Sequence, residues 1–172
     1  MLKKDFLLEI NSINNFDKIS ILNAYDYNTM NLYIQRTKSL KNAFWKEIKY
    51  KENEFIELEK ENRIDILLIM ANEEIISKLA NNIFDNWITK VVGYQLIKNK
   101  PIALGIYIKD GLSTNAENIG KLLNRKNYFF IPFKQPNPLT KPYFLSYDEK
   151  YINQTLEDAL IGKQIQPMLV SL

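Results

Sequence analysis

The polar residues that could carry chemistry are concentrated in one short segment, the run DGLSTNAEN that begins at Asp110. An apolar run precedes this segment and a helix-like stretch follows it. The N–H groups at a helix N-terminus and the positive end of the helix dipole favour a carboxylate or another anion. The candidate ligand-binding residues are therefore the polar side chains of this segment: Asp110, Ser113, Asn115 and Asn118.

The same segment also has a purely structural interpretation. Thr114 and Glu117 have the spacing of a capping box, in which two side chains satisfy the first N–H groups of a helix. In that interpretation Asn115 only helps to end the loop, and Gly111 supplies a turn that other residues adopt poorly. Both interpretations stay open for Asn115 and Asn118.

A second group of polar residues lies on a predicted helix. Lys78, Asn81 and Asp85 are spaced i, i+3 and i+7, which places them on one helical face. Lys78 and Asn81 are candidate ligand contacts, with Lys78 as an anchor for a carboxylate. The alternative is a local polar contact among the three side chains.

A basic loop forms a third group. Lys134, Gln135 and Lys141 lie in a stretch that also holds Pro136, Pro138 and Pro142, and three prolines predict a loop. We expect this loop on the same side of the sheet as Asp110, where its lysines would help recruit an anionic substrate. A solvated loop without a ligand is the alternative.

The chain contains neither cysteine nor histidine. This composition excludes a thiol nucleophile, a disulfide, a zinc site of Cys or His ligands and an imidazole base. Proton transfer would have to use Asp, Glu, Lys, Tyr, a cofactor or water. No metal is expected, and the sequence assigns no catalytic residue.

The elements that must position these residues follow a strand–helix–strand pattern. Pro101–Ile108 and Tyr128–Phe133 are apolar runs on either side of the helix-like Asn115–Lys126, which predicts two parallel strands with a crossover helix. Lys18–Ala24 and Asp65–Met70 are two further predicted strands. Such α/β sheets bind ligands outside the carboxyl ends of their strands, where the Asp110 segment would lie.

Helical patterns fill most of the remaining chain. The predicted helices are Leu2–Asn15, Asn31–Tyr50, a short helix or turn at Phe55–Asn62, two helices within Glu74–Asn99 that break near Asp85, and a last helix that a capping box of Ser146 and Glu149 opens and Gly162 closes. The tail Gln164–Leu172 is apolar enough to pack on the body.

Length and charge indicate a single ordinary globular domain over residues 1–172. Hydrophobic residues make up 46% and charged residues 25%, and the net charge is only +3 with bases and acids interleaved, which argues against a nucleic-acid partner. No apolar run approaches the length of a membrane span, and the N-terminal residues do not have the pattern of a signal peptide. We therefore expect a cytoplasmic protein without a membrane partner.

Four segments of the chain resemble the family of dipicolinate synthase B subunits. They are SKLAN from Ser77 with Asp85 after it, LGIYIKDGLSTNAENIGKLLNRKNYFFIPF from Leu104, the loop with Gln135, Pro138 and Lys141-Pro142, and EDALIGKQIQPML up to Leu169. The family belongs to the flavoproteins and is related to flavin-dependent cysteine decarboxylases. The similarity is dense from about Ser77 to Leu169 and weak from Lys18 to Met70.

This resemblance implies both a fold and a function. The fold is a Rossmann-like or flavodoxin-like three-layer sandwich with a mostly parallel sheet. The function is that of a non-autonomous component of an oxidoreductase, which contributes to oxidising dihydrodipicolinate to dipicolinate during sporulation. The implied partners are the NAD(P)-using A subunit of dipicolinate synthase and a small dicarboxylate substrate. The implied cofactor is FMN, and Asn72, Lys78 and Asn81 join the candidate binding residues.

The chain departs from the family pattern at the phosphate site. The family begins with a strand and a Gly-x-Thr-Gly-Ser-like turn, whereas the first glycine here is Gly93. Where the family has Ala-Pro-x-Thr-Gly-Asn, this chain has IMANEE, which ends in Glu73 and Glu74. These acids would repel a phosphate or, in the first turn of a helix, complement its dipole. The departures argue against FMN binding.

Two explanations of these departures are open. Either the first strand and its turn are lost, or they are encoded upstream of the start of this sequence. A lost central strand would force its neighbours to pair directly or to borrow an edge, which favours a homo-oligomer. The alternative function is then a degenerate flavoprotein-fold component for assembly or regulation, without a catalytic or flavin site of its own.

Overall fold

A mixed sheet with helices on both faces organises the fold in the computed structural model, which describes residues 18–23, 32–36, 46–48 and 65–171. Within these residues the strands are β1 (Lys18–Asn23), β2 (Leu32–Arg36), β3 (Lys46–Ile48), β4 (Ile66–Ala71), β5 (Ile102–Ile108), β6 (Tyr128–Phe130), β7 (Phe133–Lys134) and β8 (Leu145–Tyr147). The helices are α1 (Glu73–Ala80), α2 (Trp87–Ile97), α3 (Ala116–Leu123) and α4 (Ile152–Leu160).

The centre of the sheet is parallel and its margins are antiparallel. The strand order is β3-β2-β1-β4-β5-β8-β7, and β6 also pairs with β5. Strands β1, β4, β5 and β6 run parallel, with Leu68 beside both Ile21 and Ala103, and Leu104 beside Phe130. Helix α3 is the crossover between β5 and β6 that a parallel pair requires. The predicted α/β fold with a parallel core is confirmed, and the antiparallel strands are additional to it.

Both faces of β4 are buried, which explains its unbroken apolar sequence. Leu67 and Ile69 pack with helices α1, α2 and α3 on one face. Leu68 and Met70 pack with α4 on the other face. Because alternate residues of a strand point to opposite faces, one continuous apolar run serves two cores. The result is the three-layer arrangement that the family resemblance implies.

The helix predicted over Asn31–Tyr50 is wrong where the structure describes this segment. Residues 32–36 and 46–48 form β2 and β3, and Leu32 lies beside Ile48 in an antiparallel pair. Strand β2 also pairs with β1. Its sequence, LYIQR, contains the β-branched and aromatic residues that favour strands, and sheet pairing overrides a weak helical pattern. The helices predicted at Leu2–Asn15 and Phe55–Asn62 lie outside the described residues.

The two helices predicted within Glu74–Asn99 are present, and residues 81–86 separate them. Gly162 has a φ of 75° just after α4, which confirms its predicted role at the helix C-terminus. The predicted capping box of Ser146 and Glu149 is wrong, because Ser146 belongs to β8. Asp148 instead accepts the N–H of Lys150 and opens a 3-10 turn before α4 begins.

The chain after Gly162 returns to the sheet and covers the outer edge of β6. The side-chain amide of Gln164 accepts the N–H of Phe130 at 2.7 Å and donates to its carbonyl at 2.8 Å. Further along, Leu169 forms a parallel bridge with Phe133. These bonds satisfy backbone groups that a bare sheet edge would expose. The prediction that the tail packs on the body is confirmed.

Candidate functional site

The carboxyl ends of β4 and β5 meet at one edge of the sheet. Strand β4 leads into Asn72 and Glu73, and β5 leads into Lys109 and Asp110. The backbone N–H of Lys109 donates to Oε1 of Glu73 at 2.7 Å. This bond ties the start of α1 to the loop after β5, so the two strand ends form one continuous surface.

A series of side-chain hydrogen bonds orders the loop after β5. Asn115 donates through Nδ2 to Oδ1 of Asp110 at 2.9 Å, and its Oδ1 accepts Nδ2 of Asn118 at 2.9 Å. The carbonyl of Asp110 also accepts the N–H groups of Ser113 and Asn115 at 3.0 and 3.2 Å. Asn115 is only 5% exposed. The structure thus brings together three of the predicted site residues and uses Asn115 to hold the loop.

The helix after this loop does not begin with the predicted capping box. Asn115 precedes α3 in a helical conformation and makes no side-chain cap. Glu117 instead pairs with Lys121 at 2.8 Å, and this hydrogen bond lowers the pKa of Glu117. Ser113 is exposed, and its hydroxyl donates to the carbonyl of Asp110 at 3.3 Å. The capping role expected for Thr114 and Glu117 is therefore wrong.

Gly111 is required for close packing rather than for an unusual turn. Its φ is not in the positive range that favours glycine, unlike that of Gly162. A Cβ on Gly111 would lie 2.8 Å from Cδ1 and 2.9 Å from Cγ of Leu145. The absence of a side chain lets the loop lie directly against β8, which corrects the expectation from the sequence.

The residues at the head of α1 serve the helix itself. Oδ1 of Asn72 accepts the N–H of Ile75 at 3.0 Å, an N-cap. Glu73 and Glu74 occupy the first turn, where they complement the helix dipole. A flavin phosphate placed here would approach the carboxylate of Glu73, which already holds the N–H of Lys109. The head of α1 therefore does not fit the phosphate of FMN.

Lys78 and Asn81 lie away from the Asp110 loop, toward the other edge of the sheet. The ammonium of Lys78 is 2.8 Å from Glu74 and 2.9 Å from Asp85, and these hydrogen bonds hold the pKa of Lys78 above its ordinary value. Asn81 follows the last turn of α1 and donates to the carbonyl of Ser77. The local contact between Lys78 and Asp85 is present, although Asp85 lies beyond the helix end. A ligand role for Lys78 and Asn81 stays a prediction.

Arg125 holds the C-terminus of α1, a role that sequence reasoning missed. Its guanidinium donates to the carbonyls of Leu79 and Ala80 at 2.9 and 2.8 Å and to Oδ1 of Asn82 at 2.9 Å. The last carbonyls of a helix lack partners within the helix, and a cation there also complements the dipole. The only signal in the sequence was the position of Arg125, a basic residue near the end of the predicted crossover helix.

A cavity of about 370 Å³ lies beside the Asp110 loop. Its lining residues come from the end of β5 and the segment before β8: Tyr107, Lys109, Lys141, Pro142, Tyr143 and Phe144. Of these, only Lys141 and Pro142 belong to the basic loop singled out in the sequence. Lys109 directly follows a predicted strand, which was the signal that could have indicated it. Tyr107 lies within that strand, and Tyr143 and Phe144 directly follow the basic loop.

The other two polar residues of the basic loop have local partners. Nζ of Lys134 is 3.9 Å from Oδ1 of Asp148. Gln135 donates through Nε2 to the carbonyl of Pro142 at 2.7 Å, which closes the loop between β7 and β8. The loop is therefore internally braced, and it presents Lys141 rather than Lys134 to the cavity.

Comparisons with known proteins point in one direction. No protein-family model matches the chain. Over 94 residues the chain is 39% identical to the dipicolinate synthase B subunit of Bacillus subtilis (strain 168), an alignment that covers 55% of this chain and 47% of the relative. The chain is similar to the B subunit of dipicolinate synthase. The resemblance inferred from the sequence is thereby confirmed.

A solved structure supports the same resemblance. The crystal structure of the dipicolinate synthase B subunit from Bacillus halodurans aligns with a TM-score of 0.66 and 32% identity, covering 70% of this chain and 62% of that one. The chain thus spans about half the length of its Bacillus subtilis relative and less than two thirds of the solved neighbour. The designation of these relatives as B subunits implies that each has a partner.

Neither a metal cluster nor a membrane span is present among the described residues. Across residues 65–171 and the three N-terminal strands, no cluster of three or more acidic side chains could hold a metal ion. None of the helices described above combines the length and apolar character needed to cross a membrane.

Proposed function

We propose that this chain is a component like the B subunit of dipicolinate synthase, which contributes to the oxidation of dihydrodipicolinate to dipicolinate during sporulation. In this proposal the chain works in the cytoplasm with the NAD(P)-using A subunit of the synthase and binds the dicarboxylate substrate. The observation that carries the proposal is the similarity to B subunits in both sequence, at 39% identity, and structure, at a TM-score of 0.66.

The geometry at the carboxyl edge of the sheet supports a binding role. Open α/β sheets bind ligands at this edge. Here the Asp110–Asn115–Asn118 hydrogen bonds order the loop, and the Glu73–Lys109 bond fixes it to α1. A loop held in this way is pre-organised, which lowers the entropy cost of binding.

In the proposed reaction, the A subunit and not this chain binds the group that accepts the hydride. Aromatisation of dihydrodipicolinate removes one hydride and one proton, and NAD(P)⁺ on the A subunit would accept the hydride. The contribution proposed for this chain is to bind and orient the substrate; the chain has no histidine or cysteine, so any proton transfer by this chain would have to use Asp, Glu, Lys or Tyr.

Reconstitution tests the proposal. The purified chain and the A subunit of dipicolinate synthase are mixed with dihydrodipicolinate and NAD(P)⁺, and dipicolinate formation is followed. We expect output to require both proteins, and neither protein alone to suffice. Asn115→Ala serves as a companion variant, because it should reduce the output without preventing folding. Unchanged output when the chain is omitted would contradict the proposal.

A specific observation favours a second candidate, a component for assembly or regulation without a flavin site. The carboxylate of Glu73 lies where α1 could otherwise receive a phosphate. This candidate predicts association with the A subunit of the synthase and with other copies of the chain but no FMN binding. Calorimetric titration with FMN tests it, and light scattering gives the oligomeric state. Saturable FMN binding would count against this candidate and would support FMN as a cofactor of the chain.

A further inference from the structure

The backbone, rather than flexible side chains, fixes the two walls of the cavity beside the Asp110 loop. Strand β5 pairs with β8 through Tyr107–Ser146 and Ile108–Leu145. Beyond this pairing, the N–H of Leu112 donates to the carbonyl of Tyr143 at 3.1 Å. The positions of residues 107–112 and 141–145 are therefore set relative to each other before any ligand arrives.

The charge of the cavity comes from two lysines, one in each wall. Within the described part of the chain, neither Lys109 nor Lys141 forms an ion pair with a carboxylate. The lysines Lys78, Lys121, Lys134 and Lys150, by contrast, all contact acidic side chains. Two ammonium groups beside one cavity are suited to a ligand with two negative groups.

The carboxylates of Glu73 and Asp110 accept hydrogen bonds from other groups. Oε1 of Glu73 accepts the backbone N–H of Lys109, and Oδ1 of Asp110 accepts the amide of Asn115. One carboxylate oxygen of each acid therefore accepts a hydrogen bond from a backbone N–H or from the Asn115 amide, and not from a lysine side chain.

Aromatic rings make up the rest of the lining. Tyr107 and Phe144 form an edge-to-face pair with ring centroids 4.8 Å apart, and Phe144 is buried. Tyr107 and Tyr143 are 44% and 54% exposed, so their rings remain accessible to a ligand. Nζ of Lys141 lies 5.8 Å from the centroid of the Phe144 ring. Such surfaces favour a flat ring over a flexible aliphatic chain.

We propose that this cavity binds a planar ring carrying two carboxylates, with Lys109 and Lys141 as the two cationic anchors and the aromatic residues as the platform for the ring. The volume of about 370 Å³ lies near the lower end of the range of roughly 300–1,000 Å³ for small-molecule sites. The inference rests on the proposed function, since it places the dicarboxylate of that function at residues outside the Asp110–Asn118 segment.

Calorimetric titration with pyridine-2,6-dicarboxylate tests the assignment, and pyridine-2-carboxylate serves as the one-carboxylate comparison. Lys109→Gln and Lys141→Gln each remove one charge and keep the backbone bonds of the loop. The matched control is Lys163→Gln, an exposed lysine after α4, 4.0 Å from Asp158. We expect each cavity variant to weaken the dicarboxylate about tenfold, the loss of roughly one charge-assisted hydrogen bond, and the control to leave it unchanged.

The ligand comparison and an aromatic variant sharpen the test. The monocarboxylate should bind about tenfold more weakly than the dicarboxylate to the unaltered chain and lose less in either lysine variant. Tyr143→Ala should also weaken binding, and circular dichroism checks that each variant is folded. Equal effects of Lys163→Gln and the cavity variants, or no dicarboxylate binding at all, would overturn the assignment.

The reconstituted assay separates this inference from the proposed function. If output depends on the chain but Lys109→Gln and Lys141→Gln leave substrate affinity unchanged, the cavity assignment fails and the function stands. If pyridine-2,6-dicarboxylate binds as expected but output does not depend on the chain, the function fails and the cavity assignment stands.

Discussion

The two edges of the parallel sheet use charged residues differently. At the amino edge, Arg125 donates two hydrogen bonds to the last carbonyls of α1 and one to Asn82 just after it, and nearby Lys78 lies between Glu74 and Asp85. At the carboxyl edge, Lys109 and Lys141 line a cavity without ion pairs to the described carboxylates. The first edge has its charges satisfied internally, and the second has cationic groups to offer.

This difference separates structural from functional use of similar residues. A charged side chain that satisfies a helix end contributes to stability and has little capacity left for a ligand. A lysine without a partner contributes little to stability, but it can bind an anion. We therefore expect substitutions at the amino edge to change the free energy of unfolding and substitutions in the cavity to change ligand affinity.

The largest effect on stability is expected from Arg125→Ala. It leaves the carbonyls of Leu79 and Ala80 and the amide oxygen of Asn82 without their donor. Hydrogen bonds from a charged group contribute about 1.5–3 kcal/mol, so we expect the free energy of unfolding to fall by about 3 kcal/mol. Urea denaturation measures it, with Arg125→Lys as an intermediate control. If folded Arg125→Ala also bound the dicarboxylate more weakly, the division between a structural amino edge and a ligand-binding carboxyl edge would be wrong.

A smaller loss is expected from Asn115→Ala at the carboxyl edge. The change removes a buried amide that bonds both Asp110 and Asn118, and we expect a loss of about 1–2 kcal/mol. Ser113→Ala is the control in the same loop, because the exposed Ser113 should change stability by no more than about 0.5 kcal/mol. Equal losses in the two variants would show that the side-chain network does not hold the loop.

The last effect is confined to high pH and involves two tyrosines, the buried Tyr128 and the partly buried Tyr147. Burial raises the pKa of both Tyr128 and Tyr147 to about 12. An unfolded chain ionises its tyrosines near a pKa of about 10, so their contribution to stability is complete below that pH and is lost as the pH rises through 12. Near-ultraviolet absorbance should show late-ionising tyrosines, of which Tyr128 and Tyr147 are the two among the described residues, and Tyr128→Phe should remove one.

The tyrosines also distinguish the two edges. The guanidinium of Arg125 lowers the pKa of Tyr128, whereas Glu149 adds to the rise in the pKa of Tyr147. Arg125→Ala should therefore delay the ionisation of Tyr128 and leave that of Tyr147 in place. A delay of both, or of neither, would contradict the local origin of these shifts.

The parts of the fold that the sequence predicted well are those with strong local patterns. The apolar runs of β4 and β5 and the break between α1 and α2 were all found, because burial on both faces and a helix end leave marks in the sequence. The error at residues 32–36 and 46–48 has the opposite cause. Strand β2 pairs with β1 on one side and with β3 on the other, and these pairings join segments that no local periodicity connects.

The sequence grouped three candidate residues in one segment, and the structure brings them together, but the sequence did not connect that segment to the other residues of the cavity. Asp110, Asn115 and Asn118 were recognised together because they are adjacent in sequence, and their hydrogen bonds are local. Lys109 is also adjacent in the sequence, but its proposed role as an anchor requires Lys141 in the same cavity. The spacing of the two lysines along the chain does not predict that they line one cavity. The antiparallel pairing of β5 and β8 does so.

The sequence by itself determined the α/β class, the position of the Asp110 loop after a buried strand and the resemblance to dipicolinate synthase B subunits. These depend on composition, periodicity and short motifs, which act over a few residues. Only the tertiary structure decided that Asn115 holds the loop, that Glu73 occupies the head of α1 and that two lysines share a cavity. Those facts depend on contacts across the chain, whose energies arise only when distant segments are packed together.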